Sequence, residues 1–360
     1  MKANSIIENI STLPKTDPVV CENSKPQQEL KTSFSSFSST KTSATSISSI
    51  AAQPKSASSS SFANLPDYLK LFRTLVPTDS KDGYQTYKAP FNGREYIVKK
   101  ASITNSKKIY QEYQIICYIR KFCTGLSNES IPMIVVLFQE TDILYEIMEA
   151  PPGLNLKSTI KTFSTPSQSI ARYIFKGILD TLTAIHLKNI AHRNLCLENI
   201  YIHPVTHKVC LFNFENATPY CTEFTSEKVG DELYNSKHNS LYYPKQKDVY
   251  ALGVILYMLV FGSSITQRVD GQEVELATTE KYITYPWSNR KNWKIHRKML
   301  KDRGSCADEV SNLKDLLQNL LSKCANSRLT ISAMHTSKWI SEYHLASESE
   351  LKDYFSKRNR

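Results

Sequence analysis

With 360 residues, 41% of them apolar, the chain is long enough for one large core or two modest ones and too apolar for a wholly disordered polymer. Its formal charge of +11 suits an acidic partner or surface without choosing among protein, nucleic acid and membrane. The eight cysteines show no CxxC pair and no zinc-ligand spacing with histidine, which excludes the common zinc modules and fits a reduced, intracellular chain.

In chain order, residues 1–63 form a first segment. Residues 33–61 hold 14 serines and almost no large aliphatic side chains, too little apolar area to offset chain entropy, so this arm is predicted to be disordered. It reads equally as a phosphorylatable regulator and as an inert tail. No signal or transit peptide is expected, because the first residues lack a long apolar run and the first 72 contain no arginine. Short β-like runs follow at Tyr68–Leu75, Gln85–Ala89, Glu95–Lys99, Met133–Phe138 and Ile143–Glu149, with one helical stretch at Lys107–Lys121. Together they predict a β-rich small lobe over 64–150. After Pro151-Pro152-Gly153 the pattern turns helical over 151–345: Ile170, Ile174, Ile178, Leu182 and Ile185 line one helix face, and Val310, Leu313, Leu317 and Leu320 another. A hairpin is predicted from Ile200–His203 and Lys208–Phe212. The longest apolar run, Val249 to Gly262, has 14 residues against the roughly 20 that cross a bilayer, so it predicts a buried helix and a soluble protein with no membrane span. A charged tail occupies 346–360.

His192-Arg193-Asn194-Leu195-Cys196-Leu197-Glu198-Asn199 resembles the catalytic loop H-R-D-L-K-x-x-N of the protein kinase family. Asn213-Phe214-Glu215 stands where that family carries D-F-G, Asp248-Val249-Tyr250-Ala251-Leu252-Gly253 resembles the start of its central helix, and Arg328 with Trp339 its closing segment. The resemblance spans residues 68–345 and implies an α+β, bilobal kinase-like fold: a small sheet-plus-one-helix lobe and a larger, mainly α-helical one.

Phosphoryl transfer needs a loop over the phosphates, a lysine on them, carboxylates holding magnesium and a base beside the attacking hydroxyl. By resemblance Asn194 replaces the base, and a neutral amide has no useful basicity near neutral pH. Asn213 replaces the principal magnesium ligand and brings no negative charge to a hard dication. Asp79, Lys81 and Tyr84 stand where the three phosphate-loop glycines belong, with Gly83 adjacent. In the adenine pocket that the resemblance implies, Met148 is the gatekeeper, Glu149 lies in the hinge, Pro151 lacks the backbone N–H offered to adenine, and Ile97 and Tyr201 are bulkier than usual. Lys99, Glu112, Asn199, His192, Arg193 and Phe214 are retained; Lys99 and Glu112 are predicted to pair as architecture. Glu198 and Glu215 are the only close carboxylates and neither is an evident substitute. Cys196, at the catalytic-loop lysine position, reads as a small buried thiol.

The expected function is that of a pseudokinase, a regulatory or scaffolding module in signalling, with no cofactor and no metal; its partner is expected to be a protein, such as a kinase or its substrate. The alternative is an active or weakly active serine/threonine kinase, which would require ATP and magnesium. Nucleic-acid binding is a distant third, and the expected compartment is the cytoplasm, with the nucleus second. Residues 213–238 correspond to the activation segment, with Thr222, Thr225 and Ser226 as candidate phosphoacceptors and Arg193 as a candidate clamp. Ser236-Lys237-His238 replaces A-P-E, so Arg328 is expected to lose its usual glutamate. Segment 263–309, where Trp287 and Trp293 sit among basic residues, is the preferred partner surface, although lobe packing is the plainer role for the two tryptophans.

Overall fold

The computed structural model describes residues 72, 74–81, 83–236, 241–262, 266–269, 272–275 and 290–357. The serine-rich arm of 1–63, Trp287, Lys237, His238 and the side chains of Asp79 and Lys81 lie outside that description. Two compact units are present, Met1–Tyr113 with Ile134–Ala150 and Gln114–Met133 with Pro151–Arg360.

The smaller unit is built on an antiparallel sheet in the order β1-β2-β3-β5-β4, from β1 (Val76–Lys81), β2 (Tyr84–Phe91), β3 (Arg94–Ser102), β4 (Ile134–Glu140) and β5 (Ile143–Glu149). Alternation along these strands sends Ala89, Val98, Val136, Tyr145 and Ile147 into one core, against Phe72 and Phe138. Tyr84, Ala101, Ile109 and Leu144 form a second core with Tyr110 and Leu137. Helix α1 (Lys107–Phe122) supplies Ile109 and Tyr110.

The first strand lies later than predicted. Of the segment expected as a strand over 68–75, the described residues Phe72, Thr74 and Leu75 are not strand, and β1 begins at Val76. The stretch expected to be a phosphate-type loop is itself strand: Val76, Asp79 and Lys81 pair with Lys88, Thr86 and Tyr84, and Gly83 turns at φ +83°. Loop-like composition yields here because β2 offers a pairing edge, followed with one irregularity between Pro77 and Asp79, and a glycine permits the tight reversal.

The larger unit is mainly helical. After β6 (Leu154–Asn155) come α2 (Leu156–Phe163), capped by Asn155, and α3 (Gln168–Leu187), capped by Ser167. The predicted isoleucine stripe is the buried face of α3. The hairpin of β7 (Ile200–Ile202) and β8 (Val209–Leu211) completes a small sheet with β6. Helix α4 (Pro244–Phe261) is buried nearly all round; Pro244 sits in its first turn and Gly262 ends it at φ +78°. Gly253 lets α4 approach so closely that an added methyl would stand 2.7 Å from Leu321 Cγ. A short pair, β9 (Thr266–Val269) and β10 (Gln272–Glu275), precedes α5 (Arg290–Asp302), α6 (Ala307–Leu320), α7 (Ile331–His335), α8 (Lys338–Ser341) and α9 (Glu348–Ser356). Among the described residues no helix is long and apolar enough to cross a membrane. A sheet-rich unit and a larger helical unit are the α+β composition predicted.

Candidate functional site

In the smaller unit, β3 and α1 bring Lys99 and Glu112 into the predicted ion pair. Both are buried, at 3% and 0% exposure, so the ammonium is neutralised inside the unit. Tyr84 is buried on the neighbouring β2, with Lys99 Nζ 5.5 Å from its ring centroid. The residue at the third glycine position therefore packs over the lysine rather than leaving space above it. Ile97 and Met148 are buried directly opposite one another on β3 and β5, and Glu149 pairs with Arg94 at 2.6 Å.

Glu146 is a further member of this cluster. It lies opposite Lys99 in the β3–β5 ladder, is fully buried, and neither carboxylate oxygen has a hydrogen-bond partner among the described residues. Burial, reinforced by the charge of Glu112 and opposed by Lys99, pushes its carboxyl well above the ordinary range. With the folded value raised, the stability this group contributes is full below the unfolded value of about 4.3 and is lost as pH rises through the folded value. Glu146→Met, an apolar replacement of similar length, should stabilise the protein by about 1–3 kcal/mol, with the gain growing toward alkaline pH. Thermal melts of both proteins from acid to alkaline pH check this; a destabilised variant would contradict it.

In the larger unit, Asp248 organises the loop that contains Asn194. It is not a helix cap: one turn inside α4, it accepts from the backbone N–H of His192 (2.8 Å) and of Arg193 (2.7 Å) and hydrogen-bonds His186 Nε2 (2.8 Å). Burial alone would raise its carboxyl, but the His186 hydrogen bond and the charges around it hold it below the ordinary carboxylate value. His192, fully buried, reaches the Phe212 carbonyl at 3.1 Å and packs on Phe214 with ring centroids 4.6 Å apart. Arg193 adopts φ +60°, a left-handed conformation that this network maintains. Burial pushes the Cys196 thiol up to about 12, so it stays protonated.

The three amides meet around one carboxylate. Glu215 Oε1, in a residue only 8% exposed, lies 3.5 Å from Asn194 Nδ2, 3.4 Å from Asn213 Nδ2 and 3.4 Å from Asn216 Nδ2. These lengths are at the outer limit of hydrogen bonding, so the carboxylate is enclosed by donors more than gripped. Asn199 Nδ2 donates to the Asn194 carbonyl at 2.8 Å, and Asn213, at φ +65°, keeps its Oδ1 buried without a partner among the described residues. Gly230 closes the other side of Asn194: an added methyl would stand 2.8 Å from the Arg193 carbonyl oxygen and 2.9 Å from Asn194 Oδ1. The importance of Glu215 was understated by the sequence, which marked it only as a nearby carboxylate.

The segment after Asn213 is tied to the loop of Asn194 through Arg193. Arg193, the candidate phosphate clamp, donates to Glu227 at 2.6 Å and to the Asn216 carbonyl at 2.6 Å. A carboxylate of the chain itself thus pairs with this guanidinium. Thr225 and Tyr242 exchange backbone hydrogen bonds at 3.0 Å, Phe224 stacks on Tyr243 at 3.9 Å, and Lys247 donates to the Val229 carbonyl at 2.6 Å. Arg328 is buried, donating to the carbonyls of Ser322 and Gln246 and lying 4.9 Å from the Tyr250 ring.

Asp79 lies on β1, and Lys81 ends it opposite Tyr84. Pro151 opens the second segment of the larger unit, where Tyr201 on β7 meets Phe212 edge-on at 5.7 Å. The structure therefore groups Tyr84, Lys99 and Glu112 in one unit and Asn194, Asn199 and Asn213 in the other. Glu146, Glu215 and Glu227 complete these groups. A sequence signal existed for Glu146, a carboxylate inside the apolar run 143–148; none set Glu227 apart from Glu223 and Glu232.

A protein kinase domain model of known families matches residues 85–340. The chain is 26% identical over 229 residues to 3-phosphoinositide-dependent protein kinase B of Dictyostelium discoideum, covering 59% of this chain and 24% of that one. It is 25% identical over 254 residues to a serine/threonine-protein kinase H1 homolog of Danio rerio (66% and 53%) and 24% identical over 261 residues to serine/threonine-protein kinase H1 of Homo sapiens (68% and 55%). The matched stretch is thus about half, or less, of these relatives' own length. With the family model covering most of the chain, and a sheet-rich unit followed by a helical one, this protein belongs to the protein kinase family.

Proposed function

We propose that this family member does not transfer phosphate and serves as a regulatory protein-binding module in signalling, with a kinase or a kinase substrate as its partner. The observation that carries the reading is the amide cluster: Asn194 and Asn213, at the positions of base and metal ligand, both donate toward Glu215. A carboxylate surrounded by N–H groups faces positive dipoles, which oppose a dication at the same oxygen. Asn213 Oδ1 is a single neutral oxygen, and an amide cannot take a hydroxyl proton. Lys99 is held by Glu112, with Glu146 across the ladder and Tyr84 over it. Neither group of residues, taken by itself, suits magnesium-bound ATP.

One observation favours a second reading, a weakly active serine/threonine kinase. Glu215 is an anionic group beside both substituted positions, and the relatives carry kinase names. The two readings separate by calorimetric titration of the full chain with ATP, with and without magnesium. No heat of binding up to millimolar nucleotide supports the first reading; magnesium-dependent binding in the micromolar range overturns it.

A further inference from the structure

Helix α5 carries a cationic face that nothing in the described structure neutralises. Lys294, Arg297, Lys298 and Lys301 are all exposed, and at about 100° per residue they fall within an arc of about 100°. Among the described residues none of the four has an ion-pair partner. Ile295 borders this arc and is 68% exposed, among the most exposed large apolar side chains described. The opposite face is engaged: Leu300 is buried, His296 hydrogen-bonds the Tyr257 hydroxyl at 2.6 Å and meets Phe261 edge-on at 4.7 Å, and Trp293 lies 6.1 Å from the His296 ring with Lys314 Nζ 5.8 Å from its own.

We infer that this face of α5 is a docking surface for an acidic protein segment carrying an apolar side chain, the cations pairing with its carboxylates and Ile295 receiving the apolar group. Charge complementarity requires an anionic occupant, and the exposed isoleucine selects among anionic classes. Nucleic acid would leave Ile295 unused, and among the described residues of α5 the one indole, Trp293, already faces His296 and Lys314. A membrane-surface helix needs a broad apolar face turned outward, whereas the apolar side of α5 is packed inward. The chain's own arm is a poor occupant, since residues 1–61 hold six lysines against four carboxylates. The inference rests on the reading of the protein as a binding module and supplies the chemistry of the partner.

The test uses the full chain and four fluorescent or sedimentable probes: a peptide of repeated Glu-Glu-Leu, a polyglutamate peptide of equal length, a short DNA duplex, and phosphatidylserine-containing vesicles. The Glu-Glu-Leu peptide is expected to bind most tightly, and its affinity to fall as salt is raised. The double variant Lys298→Glu/Lys301→Glu should weaken it about tenfold or more, and Ile295→Ser about threefold while leaving polyglutamate binding unchanged. All three positions are exposed, so circular dichroism should show each variant folded. Equal binding of both peptides with no effect of Ile295→Ser, tighter binding of DNA or vesicles, or insensitivity to charge reversal would overturn the inference. Phosphate transfer is not read in this assay, so its failure is distinguishable from failure of the non-catalytic reading.

Discussion

Replacing Asp248 by alanine is expected to destabilise the protein by about 3–5 kcal/mol, the cost of removing one partner from a buried charged network. Three donors converge on this carboxylate: His186 Nε2 from α3 and the backbone N–H groups of His192 and Arg193. Its loss leaves two buried backbone donors without an acceptor, each costing about 1–3 kcal/mol, and releases the loop that holds Asn194. Asp248→Asn should recover part of the loss, since one side-chain oxygen still accepts while the new amide opposes a backbone donor. Urea denaturation of the three proteins checks the order wild type, Asn, Ala. The pH dependence has a definite sign. The folded carboxyl lies below its ordinary value, so its contribution is full above the unfolded value of about 3.9 and is lost as pH falls through the folded value. The wild type should therefore lose its advantage over Asp248→Ala in acid, opposite to the trend predicted for Glu146.

Glu227→Ala is expected to loosen the segment 222–235 while the two units stay folded. In the wild type Arg193 is shielded from solvent and joins that segment to the loop of Asn194, with Glu227 as its carboxylate partner. Removing the carboxylate leaves a buried guanidinium with its bond to the Asn216 carbonyl, a loss of about 2 kcal/mol. Limited proteolysis should cut the variant within 222–235 at least several-fold faster, and hydrogen exchange there should rise, with little change near β5. Unchanged proteolysis would mean that the Thr225–Tyr242 bridge and the Phe224–Tyr243 stack hold the segment without the ion pair.

Local pattern made much of this fold legible. The period of the isoleucine stripe located α3, the apolar run located α4, and Ile143–Glu149 is β5 to the residue. The order of short motifs carried the family resemblance and the positions of Lys99, Asn194 and Asn213. Partners that depend on distant segments were not legible. Glu215 meets its amides only when the loop of Asn194 folds against it, and Glu227 its guanidinium only when Arg193 reaches 34 residues along the chain. The β1–β2 hairpin was not legible because loop-rich composition hid a strand whose pairing is set by its neighbour.

Two amides facing one enclosed carboxylate should leave no phosphate transfer. The most direct measurement is transfer of radiolabelled phosphate from ATP, with magnesium or manganese, to the protein itself and to a mixture of generic serine/threonine substrates. The wild type is compared with Lys99→Ala and Glu215→Gln, purified identically to control for contaminating kinases. Equal background signal is expected for all three proteins. A wild-type rate that drops when Lys99 or Glu215 is replaced would contradict it and make Glu215 the anionic group of a working enzyme.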